Sequence, residues 1–277
     1  MPELPEIEVL KRSLEPHLVG DTIERAVVRD PRLREPVRPA ELARRVTGRR
    51  IRALRRRSKY LLIELEGPGA GETLVVHLGM SGRLTLVPAG EPEEPHEHVA
   101  FHLRSGRRLR LRDPRRFGMV LALASDKLEQ NPHFSGLGIE PLSGEFSGAW
   151  LAAAAAGRRG PVKSFLMDAR VVVGVGNIYA SESLYLAGIH PVRSVARLSA
   201  ARWDRLAEAV VQVLSQAIAQ GGTTLNDFAD GEGRSGYFQI SLSAYAREGE
   251  PCLTCGTPIR RIVQSGRSTF YCPRCQR

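Results

Sequence analysis

Four cysteines fall within the last 26 residues, as Cys252-Leu-Thr-Cys255 and Cys272-Pro-Arg-Cys275, with sixteen residues between the pairs. Two C-x₂-C knuckles at this spacing offer four thiolates to one tetrahedral zinc ion. The stretch between them fits a hairpin: RRIVQ, a Ser265-Gly266-Arg267 turn, then STFYC. The same thiols could form two disulfides or stay free. A chain whose first residues carry acids and no apolar signal segment is expected in a reducing compartment, which disfavours disulfides. The 27-residue module 251–277 has too little core to fold alone, so metal binding would supply its folding energy.

The other chemically loaded stretch is the start, MPELPEIE. A small second residue permits removal of the initiator Met, which would leave Pro2 as a secondary amine with a pKa of about 7.7–8. Such an amine is partly neutral at neutral pH. Its attack on an aldehyde-level carbon gives an iminium, a positively charged electron sink. Glu3 and Glu6 lie beside it and could move the proton. The same residues also suit a plain helix start, with the glutamates complementing the helix dipole.

These groups need elements to hold them. The spacing of Ile7, Leu10, Leu14 and Leu18, behind Pro5, predicts a helix over 5–18. Residues 20–125 read as mostly β. TLVVHLGM and RLTLV flank a Ser81-Gly82 turn, and VAFHLRSGRRLRLR folds about Ser105-Gly106, a spacing that suggests a β-sandwich. From about 147 to 220 the pattern is helical. Pro161 opens a short helix, Asn177 follows Gly174-Val-Gly176 as an N-cap, and Gly188 closes that helix. Ser199 caps the next, whose stripe is Trp203, Leu206, Val210, Val213, Leu214 and Ala217. Residues 221–250 form a long Gly-, Ser- and Asp-rich connection. The expected fold class is α+β and multi-domain: an N-terminal β-sandwich with flanking helices (1–130), a helical domain (131–250) and a β-hairpin zinc finger (251–277).

The composition narrows the partner. With 277 residues, 42% apolar and 25% charged, the chain can bury real cores, which excludes disorder and a small disulfide scaffold. No apolar run approaches the ~18 residues of a membrane helix. The net charge is +10, from 36 Arg and only 4 Lys against 30 acids. Nine basic residues and no acid lie between Arg44 and Lys59, and seven Arg with one Asp between Arg104 and Arg116. Such runs are often a solvated face. Two of them in a chain this basic point toward a polyanion groove.

MPELPEIE, RRSKYLL, HLGMSGRL, DPRRFG, VVGVGNIYASE and the closing C-x₂-C-x₁₆-C-x₂-C together resemble the formamidopyrimidine-DNA glycosylase (Fpg/MutM) family, nearly from end to end and in the family's order. Endonuclease VIII-like members share part of this pattern, but Leu4, Met80 and the Arg115-Arg-Phe117 triplet favour the Fpg branch. The resemblance implies a bifunctional glycosylase and abasic-site lyase acting on oxidised purines, chiefly 8-oxoguanine opposite cytosine and formamidopyrimidines. It implies one structural Zn²⁺, held by Cys252, Cys255, Cys272 and Cys275. It implies double-stranded DNA containing oxidised bases or abasic sites as the partner, with no membrane, and a cytoplasmic, nucleoid-associated bacterial monomer.

It also assigns roles. Pro2 matches the nucleophile at C1′ of the damaged nucleotide, and Glu3 the acid that protonates the deoxyribose and helps open its ring. Glu6 matches a glutamate lining the base pocket. Lys59 matches a phosphate contact that also donates a proton in β-elimination. Arg267 matches the arginine that grips the lesion phosphates and assists δ-elimination. A base inside a duplex must be flipped out, and the gap must be filled. Met80 and Phe117 suit the wedge, and Arg115 suits the orphaned cytosine edge. Asn177, at a helix start that favours phosphate, belongs to the helix–two-turn–helix motif, with Lys163 as its partner. His77, His96, Arg115 and Arg159 match further DNA contacts, and residues 223–237 match the loop that closes over the flipped base. The competing readings are an endonuclease VIII-like enzyme for oxidised pyrimidines and a non-catalytic zinc-finger DNA-binding protein.

Overall fold

The computed structural model describes residues 2–222 and 242–277. They pack as two units. One holds the chain up to Ser135 with Gly221 and Gly222, and the other holds Gly136–Gln220 and 242–277. Among the described residues, no helix is long and apolar enough to cross a membrane.

The first unit opens with α1 (Leu4–Leu18), whose buried face carries Leu4, Ile7, Leu10, Leu14 and Leu18. Eight strands follow: β1 (Ile23–Val28), β2 (Arg50–Arg57), β3 (Tyr60–Glu66), β4 (Glu72–His77), β5 (Arg83–Pro88), β6 (Glu97–Leu103), β7 (Arg107–Arg112) and β8 (Met119–Ala124). A short helix, α2 (Pro39–Val46), lies between β1 and β2. The strands form two antiparallel four-stranded sheets, ordered β1-β6-β7-β5 and β2-β3-β4-β8. One apolar core joins both sheets to α1, gathering Leu10 and Leu14 with residues such as Ile63, Val76, Phe101 and Leu109. The β-sandwich is therefore present.

One local expectation is corrected. The Ser81-Gly82 turn does not close a hairpin, because β4 and β5 belong to different sheets. The chain leaves β4 at His77 and crosses over residues 78–82, held by the Gly82 N–H donating to the Leu78 carbonyl at 2.9 Å. Met80 thus rides on a sheet-to-sheet crossing. The Ser105-Gly106 turn, by contrast, does join the paired strands β6 and β7.

The second unit contains α3 (Gly148–Ala154), α4 (Val162–Leu166), α5 (Asn177–Leu186), α6 (Ala200–Ala219) and the hairpin β9 (Arg260–Gln264) and β10 (Arg267–Tyr271). Ser147 caps α3 by accepting from the Trp150 N–H. Two terminal assignments shift by one residue. Gly176 occupies the N-cap of α5 and Asn177 its first turn, so the Asn177 side chain is released from capping. The hairpin turn is Ser265-Gly266, both at positive φ, as a two-residue turn matching the strand twist requires. Arg267 then begins the returning strand opposite Gln264.

Candidate functional site

In the first unit, Pro2, Glu3 and Glu6 are all buried, the two glutamates at 2% exposure. Glu3 is the N-cap of α1 and forms a reciprocal capping box with Glu6. The Glu3 N–H donates to Glu6 Oε2 at 2.8 Å. Glu6 is thus committed to orienting the backbone next to Pro2. Lys59 sits in the tight turn after β2, behind Ser58, whose backbone is left-handed (φ 56°). Arg56, at the end of β2, pairs with Glu8 of α1 at 3.2 Å. The turn carrying Lys59 and the helix opened by Glu3 are therefore fastened to each other.

His77 lies opposite Tyr60 across β3 and β4, with ring centroids 4.9 Å apart. Burial, and then the Arg34 and Lys59 cations, hold its pKa down to about 4. The ring is neutral at physiological pH. Its Nδ1 accepts from the Gly79 N–H at 3.0 Å, so the ring proton is on Nε2. His77 can donate one hydrogen bond to an anion without carrying charge.

The crossing 78–82 and the DPRRFG segment are built against each other. A Cβ on Gly79, which is at φ 64°, would lie 2.3 Å from the Phe117 carbonyl carbon. Asp113 is wholly buried and joins the two segments. Its Oδ1 accepts from Ser81 Oγ and its Oδ2 from the Gly118 N–H, both at 2.7 Å. On this support Met80 and Phe117 remain 38% and 44% exposed, unusual for apolar side chains of this size. The Arg115 guanidinium stacks 4.9 Å from the Phe117 ring centre. An exposed apolar pair with a guanidinium beside it can enter a base stack and present donors to a base edge.

In the second unit, Lys163 is 2% exposed. It donates to Asn177 Oδ1 and Thr269 Oγ1, each at 2.7 Å, and to the Ser268 carbonyl at 3.4 Å. The Asn177 amide nitrogen donates to the same Ser268 carbonyl at 3.0 Å. Lys163 thus joins α4, α5 and β10 from beneath. Beside it is a concavity of about 180 Å³ lined by Lys163, Ser164, Met167, Asp168, Asn177, Gln264, Ser265 and Arg267, two cations with one carboxylate, of a size to take a phosphate. Arg159 is exposed at the end of the loop before α4, and its carbonyl accepts from Ser194 Oγ.

The four cysteine sulfurs lie within 4.8 Å of one another. Burial and the neighbouring thiols push Cys275 up to about 12. Four sulfurs this close cannot all ionise without a cation among them, and the set fits one structural zinc. Burial also works against ionisation of Cys252, but the Tyr185 hydroxyl and the backbone N–H groups of Thr254 and Cys255 pull that thiol down to about 6. Tyr185, from α5, lies 3.1 Å from Cys252 Sγ and 3.0 Å from Thr254 Oγ1. Tyr185→Phe should therefore speed zinc transfer to a colorimetric chelator about tenfold, the scale of a lost outer hydrogen bond to a metal ligand. An unchanged rate would assign Tyr185 to packing alone.

Sequence inspection did not single out Asp113, Tyr185 or Glu182. Glu182 is buried in α5, and its carboxylate receives the N–H groups of Ser243, Ala244 and Tyr245 at 2.7–3.0 Å. A single charged residue within the otherwise uncharged NIYASESLYL was the available signal. The loop expected over 223–237 lies outside the described residues.

The basic runs are mostly neutralised rather than free. Arg45, Arg50, Arg52, Arg55 and Arg56 each meet a glutamate. So do Arg104, Arg108, Arg110 and Arg112, while Arg116 meets Asp30. Among the described residues, Arg115 and Arg267 have no acidic partner.

Residues 1–120 match the formamidopyrimidine-DNA glycosylase N-terminal domain. Residues 137–229 match the H2TH domain of the same enzymes, and 249–277 the zinc finger found in FPG and IleRS. The chain is 50% identical over 277 residues to the formamidopyrimidine-DNA glycosylase of Marinobacter nauticus, covering all of both chains. The crystal structure of the Thermus thermophilus MutM (Fpg) protein superposes with a TM-score of 0.87 at 40% identity, covering 99% of this chain and 98% of that one. A Lactococcus lactis Fpg mutant complexed with Fapy-dG-containing DNA gives 0.91 at 31% identity, covering 100% of both.

Proposed function

The chain belongs to the formamidopyrimidine-DNA glycosylase family, and from that premise we propose how its own residues perform the work of a DNA glycosylase and abasic-site lyase. The protein excises oxidised purines, 8-oxoguanine opposite cytosine and formamidopyrimidines, from duplex DNA. The observation that carries the residue assignment is the buried start of the chain, where an imino acid precedes two carboxylates locked in a capping box.

With Met1 removed, the Pro2 nitrogen attacks C1′ of the flipped nucleotide. Glu3 protonates the ring oxygen of the deoxyribose, the sugar opens, the base departs, and an iminium joins C1′ to Pro2. The positive nitrogen then takes up the electrons released when a proton is lost at C2′, and the 3′ phosphate is expelled. A second elimination expels the 5′ phosphate. Glu6 fixes Glu3 through its backbone and lines the base pocket. Lys59 and neutral His77 hold phosphate oxygens near the lesion, and Lys59 supplies a proton in the first elimination. Met80 and Phe117 fill the vacated stack, and Arg115 pairs with the orphaned cytosine. Arg267, Asn177, Arg159 and His96 hold backbone phosphates, while Lys163 sets the positions of Asn177 and β10. Zinc plays no part in the chemistry and fixes the strand that carries Arg267.

We assign catalysis to residues 1–130, the helix–two-turn–helix grip and capping loop to 131–250, and the finger to 251–277, working as a monomer at the bacterial nucleoid in the cytoplasm. Excision from 8-oxoguanine:C and thymine-glycol duplexes under single-turnover conditions tests the substrate class. The 8-oxoguanine duplex should react faster, whereas faster thymine-glycol release would assign the enzyme to the pyrimidine branch.

A further inference from the structure

Arg108, Arg110 and Arg112 occupy alternate positions of β7, so their side chains share one face of the sheet. Arg108 and Arg110 are nearly buried, at 3% and 6% exposure. What they hold is a single segment, Glu91-Pro-Glu-Glu-Pro95. Arg108 Nη2 donates to the Glu91 carbonyl at 3.1 Å, and Arg110 Nη1 to the Pro92 carbonyl at 3.3 Å. Arg112 Nε donates to the Pro95 carbonyl at 3.0 Å. Arg110 Nη2 also reaches Glu94 Oε1 at 2.5 Å. Glu97, whose side chain is fully buried, neutralises Arg108 and Arg110 from below and takes a third arginine, Arg29, at 3.1 Å.

This ladder ends at His96. The residue is exposed and its backbone is left-handed (φ 68°), a conformation that costs a non-glycine residue free energy and persists only where its surroundings impose it. On one side Pro95 is fixed by Arg112. On the other, the His96 carbonyl accepts from the Asp113 N–H at 3.0 Å. Asp113 is the residue that also supports Met80 and Phe117. Among the described residues the His96 ring has no hydrogen-bond partner, and its one ring neighbour is His98, 6.2 Å away.

We infer that Arg108, Arg110 and Arg112 are positioning residues: they use their charge inside the protein to hold the 91–95 segment so that His96 is presented to a DNA phosphate in register with the wedge. The inference rests on the assignment of His96 as a DNA contact. It removes three arginines from the groove that charge counting suggested and gives them a different task.

The test is a double-mutant cycle of Arg112→Gln and His96→Ala, read as affinity for a duplex containing a tetrahydrofuran abasic analogue over a range of salt concentrations. Arg112 is partly exposed, so its replacement leaves the sandwich core intact. Each single variant should lose about tenfold in affinity, the scale of one hydrogen bond to a charged group, and the double variant should lose no more than either. The slope of log Kd against log salt should be the same in Arg112→Gln as in His96→Ala, because Arg112 itself meets no phosphate and both variants lose the one His96 contact. Amide exchange at Asp113 should speed up in Arg112→Gln as its His96 acceptor is released. Additive losses, or a slope reduced by about 0.9 beyond that of His96→Ala, would overturn the positioning role while leaving His96 a contact. No loss in His96→Ala would overturn the contact assignment and the inference with it.

Discussion

Glu3→Gln should slow 8-oxoguanine excision by about a thousandfold, within the range for loss of a general acid, with the thermal midpoint almost unchanged. The stability half of this expectation follows from the geometry. Glu3 caps α1, and a glutamine keeps an acceptor oxygen of the same reach. The Glu3 N–H still donates to Glu6 Oε2, so the first turn remains closed. What disappears is a proton that can be given to the sugar. Glu6→Gln makes the comparison: it keeps the acceptor for the Glu3 N–H and should cost far less in rate. Single-turnover excision with parallel melting curves reads both. Equal losses from the two variants would mean that Glu3 is not the particular acid that sets the rate.

Cys255→Ser should release zinc, unfold the hairpin and weaken abasic-duplex binding about a hundredfold, the worth of two charge-assisted hydrogen bonds to phosphate. The finger's own core is only Cys252, Ile259, Phe270 and Cys272, two of them metal ligands. Without the ion there is too little apolar burial to offset the chain entropy of ordering the module. The damage should reach past the finger. Thr269 and the Ser268 carbonyl belong to β10, and they take two of the hydrogen bonds of buried Lys163. Gln276 donates to the Ile189 carbonyl just after α5. Losing the hairpin therefore strips partners from a buried ammonium beside Asn177. Zinc content measured by emission spectrometry, together with affinity, checks this. Full affinity with no zinc would show that the finger does not place Arg267.

The groups that act through local sequence were the legible ones. Two cysteine knuckles report a zinc site because each C-x₂-C is self-contained, and Pro2, Glu3 and Glu6 are contiguous. The helix Leu4–Leu18 and the two sheets follow apolar periodicities that burial enforces directly. What sequence did not show was pairing over distance. Arg56 meets Glu8, 48 residues away, and Arg45 meets Glu72, 27 residues away, so a run of arginines looked like a free cationic face. Lys163 is another case. Its type suggests a surface phosphate contact, and only the convergence of α4, α5 and β10 makes it a buried hub. Asn177 looked like an N-cap because its residue type favours that position. The tertiary contact with Ser268 draws its amide away, and Gly176 takes the cap.

The central claim is that the Pro2 nitrogen forms the covalent intermediate. Borohydride reduction during reaction with an 8-oxoguanine:C duplex, followed by peptide mass mapping, addresses it directly. The account predicts a one-to-one adduct on the N-terminal peptide at Pro2, absent when Met1 is retained. An adduct mapping to Lys59 or Lys163, or one undiminished by retention of Met1, would contradict it.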